Sequence, residues 1–184
     1  MSRIPPRRPR GLLVRLIQRY CRASYGKDIA LFDYLAHAPR FARAYVGMRP
    51  FLQGPGELDP GCRALVIQLV SVLNGCAWCQ DFGRSLAPRR GVALDKFDAV
   101  ASFATDERFS AAERAALAIA QASTKEGLPF TDEVVAEARR HFSDRQVVEI
   151  VVAAAAIGFD NRINAALGIE RQGFCDLAAA GAAS

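Results

Sequence analysis

Two cysteines separated by two residues, Cys76 and Cys79, carry the chemistry in this sequence. They lie in Leu73-Asn-Gly-Cys-Ala-Trp-Cys-Gln-Asp-Phe-Gly83. Asn74-Gly75 ends one helical run, and the cysteines fall where the next begins. At i and i+3 of a first turn both sulfurs share one face and come close enough to bridge. A helix N-terminus favours the thiolate, which is the nucleophile in disulfide exchange and peroxide reduction. Cys21, Cys62 and Cys175 are isolated. An odd cysteine count in a chain without a signal peptide does not describe a disulfide scaffold.

Few other residues qualify for a site. Gln68 is the polar side chain midway along an otherwise apolar run, on the same stripe as Ala64, where it could hydrogen-bond towards the cysteines. Asp81 is two residues after Cys79, which on a helix turns it away, and an anion there would raise a thiol pKa. Arg84, at i+5 from Cys79, favours a thiolate if it folds back. Trp78 and Phe82 flank the pair and serve packing first, with an apolar substrate pocket as their functional alternative. No second cysteine pair or histidine cluster completes a zinc site, so no metal is expected. His37 and His141, the only histidines, sit at helix ends and read as solvated or capping groups. Glu149, alone in an apolar run, requires a structural ion pair or hydrogen bond.

The elements that must position the pair are helices. No segment alternates apolar and polar residues over six positions. Asp59-Pro60 reads as an N-cap followed by a first-turn proline. Ser110-Ala-Ala-Glu113 and Ser143-Asp-Arg-Gln146 both fit the capping box. These signals predict helices near 10–23, 28–37, 39–52, 59–73, 76–87, 94–101, 110–124, 131–141, 143–157 and 159–168, with Gly127, Gly158, Gly168 and Gly173 at ends or breaks. The runs Ala64–Leu73 and Val147–Ile157 are apolar nearly all round, which predicts a central pair or burial against neighbouring subunits. Leu65–Gly75 and Val148–Gly158 align loosely, a hint of duplication.

Composition bounds the rest. The chain has 184 residues, is 51% apolar and 23% charged, and carries a net charge of +5. That is one soluble globular domain. Eight of the 24 basic residues lie in residues 1–27, where no acid occurs; the remaining 16 face all 19 acids and leave the body at about −3. The basic charge therefore belongs to an arm and not to a nucleic-acid surface. No secretory signal is expected, nor an apolar run long enough to span a bilayer, which points to the cytoplasm. In the arm, Leu12, Leu13, Leu16, Ile17 and Tyr20 form an apolar stripe opposite Arg15, Arg19 and Arg22. It is read first as a helix docked on the bundle, and otherwise as one that lies on an anionic membrane or a neighbouring subunit. The division is a basic arm at 1–27, an all-α domain at 28–175 and a tail at 176–184.

Around the cysteines the sequence resembles the carboxymuconolactone decarboxylase/AhpD-like alkylhydroperoxidase superfamily. The likeness extends over Ala36–Tyr45, Phe109–Ala122, Phe130–Ala156 and Phe159–Glu170, about residues 28 to 170. It implies an AhpD-like all-α bundle in which Cys79 attacks a hydroperoxide and Cys76 resolves it. It also implies no bound cofactor, a thioredoxin-like or lipoyl-protein thiol reductant, and assembly as trimers or hexamers. The family places a glutamate twelve residues before the first cysteine and a histidine four after the second, as a proton relay. Here those positions hold Ala64 and Gly83. The expected activity is thus a peroxiredoxin-type antioxidant peroxidase weakened by the loss of its relay. The alternatives are a non-catalytic or redox-sensing protein and, with no acid–base constellation to support it, a decarboxylating lyase.

Overall fold

The computed structural model describes residues 2–8, 11–124 and 130–176, with the backbone alone at 50–53. Every regular element among them is helical. In chain order these are α1 (Leu12–Tyr25), α2 (Leu31–Leu35), α3 (Pro39–Gln53), α4 (Pro60–Leu73), α5 (Ala77–Leu86), α6 (Leu94–Asp98), α7 (Ala111–Ala122), α8 (Asp132–Ala138) and α9 (Asp144–Leu167). Short 3-10 turns at Pro88–Arg90 and Val100–Ser102 link α5, α6 and α7. The all-α expectation holds, and so do the caps. Asp59 accepts from the Cys62 N–H at 2.8 Å, and both capping boxes close reciprocally. The expected tail falls outside the described residues beyond Asp176, as does the break at Gly127.

The central pair is α4 and α9, which pack against each other and against α7. Leu65, Val66, Leu69 and Val70 of α4 meet Ile150, Ala153 and Ala154 of α9 and Leu117 and Ile119 of α7 in one buried cluster. Burying such side chains contributes roughly 1.5–3 kcal/mol each, and this cluster fixes where α5 begins.

Three expectations need correction. Gly158 does not break the chain: 143–157 and 159–168 form the single helix α9. A mid-helix glycine costs about 1 kcal/mol, which the packing of α9 on both sides of it exceeds: Ile150, Ala153 and Ala154 before it join the α4–α7 cluster, and Ile163 and Leu167 after it pack on the cluster of α1–α3. Broken α4–α5 and unbroken α9 also remove the parallel behind the hint of duplication. The continuous helix is long and apolar enough to cross a membrane by length and composition, yet here it is the core helix of the bundle. In the single chain, Val148, Val152 and Phe159 of α9 form an exposed apolar stripe. Finally, α1 docks by Val14, Gln18 and Cys21, while Leu12, Leu13, Leu16 and Tyr20 face outward.

The arm is strapped to the body. The Arg3 guanidinium donates to the carbonyls of Ala165 and Ala166 at 2.8 and 3.0 Å, in the last turn of α9. The Arg7 N–H reaches the Asp33 carbonyl at 2.9 Å. His37 bonds through Nε2 to the Pro5 carbonyl at 3.0 Å, so its partner is the arm. His141 faces Glu137 at 3.5 Å.

Candidate functional site

The link between α4 and α5 is short and heavily held. Gly75 adopts φ +64°, a left-handed turn that glycine enters at little cost. The Cys76 N–H bonds the Ser71 carbonyl at 2.9 Å. Asn74 Nδ2 donates to Asn161 Oδ1 at 3.0 Å, and Gln80 Nε2 to the Ser71 carbonyl at 3.2 Å. The turn is thereby tied to both central helices.

Cys76 is the N-cap of α5, its Sγ accepting the Cys79 N–H at 3.3 Å. Cys76 and Cys79 are joined as a disulfide with Cα atoms 5.3 Å apart, and both residues are buried. The bridged pair is the oxidised form of the expected dithiol. Asn164 of α9 lies over it: Nδ2 is 3.2 Å from Cys79 Sγ and 3.8 Å from Cys76 Sγ. The Asn164 side chain is buried and its Oδ1 has no partner. In the reduced protein this N–H favours charge on Cys79.

Each cysteine lines a different opening. Cys79 lines a largely apolar cavity of about 480 Å³ whose walls include Tyr25, Trp78, Phe82 and Phe97. Cys76 lines a shallower groove with Arg3, Gly75, Gly168 and Arg171. Asn164 borders both. A lipophilic molecule can meet Cys79 while a separate thiol approaches Cys76.

The positions of the missing relay also line the cavity, as Ala64 and Gly83. A Cβ on Gly83 would sit 3.4 Å from Gln68 Oε1 and 3.5 Å from Phe97 Cζ, ordinary contact distances. Gln68 Oε1 is buried without a partner. It lies beside Gly83, and among the described residues no hydrogen bond joins Gln68 to either cysteine.

Asp81 and Arg84 are placed elsewhere. The Asp81 carboxylate accepts the N–H groups of Gln172, Phe174 and Cys175 at 3.0–3.2 Å. Burial acts to raise its pKa, but these backbone donors and Arg171 outweigh it and hold the group below the usual carboxylate range. The effect is to pin Phe174 against Trp78 and Phe82, ring centroids 5.9 and 5.0 Å away. Arg84 forks onto Asp98 at 2.8 and 2.9 Å. Trp78 and Phe82 do line the cavity, stacked at 5.2 Å. Glu149 is structural, accepting the N–H groups of Glu57 and Leu58 and pairing with Arg63 at 3.0 Å.

A second polar cluster in the cavity wall was not foreseen. The Tyr45 hydroxyl donates to Asp160 Oδ1 at 2.9 Å, and Arg49 pairs with Asp160 Oδ2 at 2.9 Å. Burial pushes the Asp160 carboxyl up against the opposing pull of Arg49 and Tyr45. Asp160 lies one turn before Asn164. Polar residues at 160, 161 and 164 of an apolar helix were the available signal for this face. Cys21 also lines the cavity, but burial raises its thiol to about 11. Cys62, in the core, is pushed to about 12 by the same cause. Neither provides a thiolate near neutral pH.

Known proteins resemble this chain in sequence and in fold. Residues 39–122 match the family model of the Carboxymuconolactone decarboxylase family. The uncharacterized protein YnjA of Escherichia coli strain K12 is 26% identical over 175 residues, 94% of this chain and 95% of its own. A cysteine-to-alanine variant of the debrominase Bmp8, bound to 2,3,4-tribromopyrrole, superposes with a TM-score of 0.84 at 22% identity, covering 98% of this chain and 99% of its own. An uncharacterized peroxidase-related protein from Ralstonia eutropha, described as an alkylhydroperoxidase AhpD core, gives 0.83 at 23% identity and 94% coverage of each chain. At these identities the structural likeness is one of fold.

Proposed function

Because the chain belongs to the carboxymuconolactone decarboxylase/AhpD-like superfamily and has its all-α fold, we propose that it is a dithiol oxidoreductase that reduces organic hydroperoxides at Cys79. The observation that carries the reading is the bridged pair itself: Cys79 lines the apolar cavity, and its Sγ accepts the Asn164 N–H. The Cys79 thiolate attacks the terminal oxygen of ROOH, the O–O bond breaks, and the alkoxide leaves to take up a proton as ROH. Cys79 is then a sulfenic acid. Cys76 attacks its sulfur, water leaves, and the disulfide closes. A thioredoxin-like or lipoyl-type dithiol returns two electrons by attacking Cys76 Sγ from the groove beside Arg3, with Cys79 leaving as thiolate under Asn164. On this reading the protein needs no bound cofactor and works in the cytoplasm. The exposed Val148, Val152 and Phe159 stripe supports assembly with further copies of the chain.

The roles of the relay pass to Asn164, which stabilises the thiolate, and to the helix N-terminus. Neither is a proton donor, so the alkoxide is protonated more slowly than with a histidine in place, and the expected turnover is modest.

A second reading has support from the aromatic walls around Cys79, which also suit a halogenated ring of the kind bound by the debrominase. The balance there is R–Br plus two thiols giving R–H, a disulfide and HBr. One experiment separates the readings. Fully reduced protein is mixed rapidly with equimolar cumene hydroperoxide or tribromopyrrole, and the products are mapped by mass spectrometry. Closure of Cys76–Cys79 within seconds by the hydroperoxide, abolished by Cys79→Ser, is the expected result. Thiols reacting no faster than a cysteine peptide would refute the peroxidase reading; closure by the bromopyrrole alone would establish the second.

A further inference from the structure

Helix α1 divides its surface into three stripes. Val14, Gln18 and Cys21 are buried against the bundle. Leu12, Leu13, Leu16 and Tyr20 face outward, with Leu12 71% and Tyr20 63% exposed. Arg15, Arg19 and Arg22, at i, i+4 and i+7, form the third stripe beside the exposed apolar one. Arg22 is held by Asp28, while Arg15 and Arg19 have no ion-pair partner among the described residues. Single exposed leucines are ordinary, but four large apolar side chains on one helix mark an interaction surface.

We propose that α1 is the membrane-contact surface of this protein and seats it on an anionic lipid bilayer. The choice of occupant follows from charge. Residues 1–27 carry eight basic groups and no acid, and the arginines run alongside the apolar stripe, the pattern of a helix lying in the headgroup region. A second copy meeting this face antiparallel, about a twofold axis lying in the interface across the helices, would set Arg15 and Arg19 beside the same arginines. An anionic surface satisfies the apolar and the basic stripe together.

The cavity adds a consequence. Ile17, Tyr20 and Cys21 of the same helix line it, and Tyr20, exposed while lining it, stands at its rim. Seating α1 on lipid places that rim at the acyl–headgroup boundary. The substrate class is then a lipid-soluble hydroperoxide that reaches Cys79 without passing through water. This extension rests on the hydroperoxide reading; membrane binding does not.

The test uses the full chain in flotation with vesicles of phosphatidylcholine alone or mixed with phosphatidylglycerol, at low and high salt. Binding is expected to the anionic vesicles only and to weaken at high salt. Arg15→Glu with Arg19→Glu should lower partitioning more than tenfold, since each arginine near an anionic surface is worth about fivefold, or about 1 kcal/mol. Leu12→Ser with Leu16→Ser should lower it by a similar factor. All four positions are exposed, and circular dichroism verifies that the variants remain folded. Failure to bind anionic vesicles, or equal binding to neutral ones, overturns the proposal. So does loss of self-association in the leucine variant, seen by light scattering without vesicle binding. For the substrate clause, the leucine variant should react at least tenfold more slowly with a phospholipid hydroperoxide in anionic vesicles and unchanged with tert-butyl hydroperoxide; equal slowing of both removes the clause. If neither peroxide reacts, the hydroperoxide reading fails, while vesicle binding still decides the membrane proposal.

Discussion

Asn164→Leu isolates the contribution of one N–H to the chemistry at Cys79. Asn164 Nδ2 lies 3.2 Å from Cys79 Sγ, while Oδ1 is buried without a partner. A hydrogen bond to a charged group is worth about 1.5–3 kcal/mol, and one pKa unit corresponds to about 1.4 kcal/mol. Losing the N–H should therefore raise the Cys79 thiol pKa by about 1–2 units. A more basic thiolate is intrinsically more nucleophilic, with a Brønsted slope of about 0.4–0.5. The net loss of rate below both pKa values is thus about 3- to 16-fold rather than 10- to 100-fold. Above both values the variant thiolate should match or exceed the parent. The measurement is the pH dependence of iodoacetamide alkylation and of thiolate absorbance near 240 nm in a Cys76→Ser background. Stability supplies a second readout: leucine also removes the unpaired Oδ1, whose burial costs about 1–3 kcal/mol, so the variant should melt no lower than its parent. An unchanged thiol pKa would refute the role of Asn164. A rate loss that is uniform across pH would refute it too, since that signature belongs to a displaced cysteine.

Gly83→His should be accommodated, because a Cβ at this position makes only ordinary contacts, and an imidazole at i+4 should lower the Cys79 thiol pKa by about 1 unit. Peroxide-driven disulfide closure at pH 7 should then accelerate several-fold, more so with Ala64→Glu; no acceleration in a folded variant would show that Cys79 does not face that space. Asp81→Asn should lower stability by about 1.5–3 kcal/mol at pH 7 and release the segment around Phe174, read by denaturant melts and limited proteolysis. Asp81 is held below its ordinary pKa in the fold. Its contribution is therefore complete above the unfolded carboxylate value near 4 and is lost as pH falls through the folded one, so the gap between parent and variant must close in acid. Gly56→Ala places a Cβ onto Glu149 Oε2 and Arg63 Nη2, and should cost about 1–3 kcal/mol in melts by opening that clamp.

The fold was legible because helix caps are local. Asp59, Ser110 and Ser143 bond the N–H groups of Cys62, Glu113 and Gln146, and each needs only residues a few positions away. Gly158 misled for the complementary reason. Glycine weakens a helix by about 1 kcal/mol, but whether a helix ends there depends on what covers it, and α4 and α7 are distant in sequence. The same limit explains α1. Its apolar stripe was visible as a pattern, yet the pattern does not say which stripe faces the bundle, and here Val14, Gln18 and Cys21 do.

At the site, the cysteine pair was readable from spacing, and the residues that tune it were not. Asn164 is 85 positions from Cys79, and nothing in its neighbourhood announces a sulfur. What the sequence did contain was an anomaly of type: Asp160, Asn161 and Asn164 buried within a helix of otherwise apolar character. Buried polar groups require partners, so three on one helix demand a polar counterpart on whatever packs there. Two of those counterparts are the Asn74–Gly75–Cys76 turn and its disulfide; the third is the Tyr45–Arg49 pair in the cavity wall. Ala64 and Gly83 line the cavity without a titratable group, while the polar contact to the cysteines comes from Asn164 on the opposite helix. On the proposed reading, thiol reactivity depends on α9 more than on the residues beside the cysteines, and substitutions at Asn164 should outweigh those at Arg84, which Asp98 holds away.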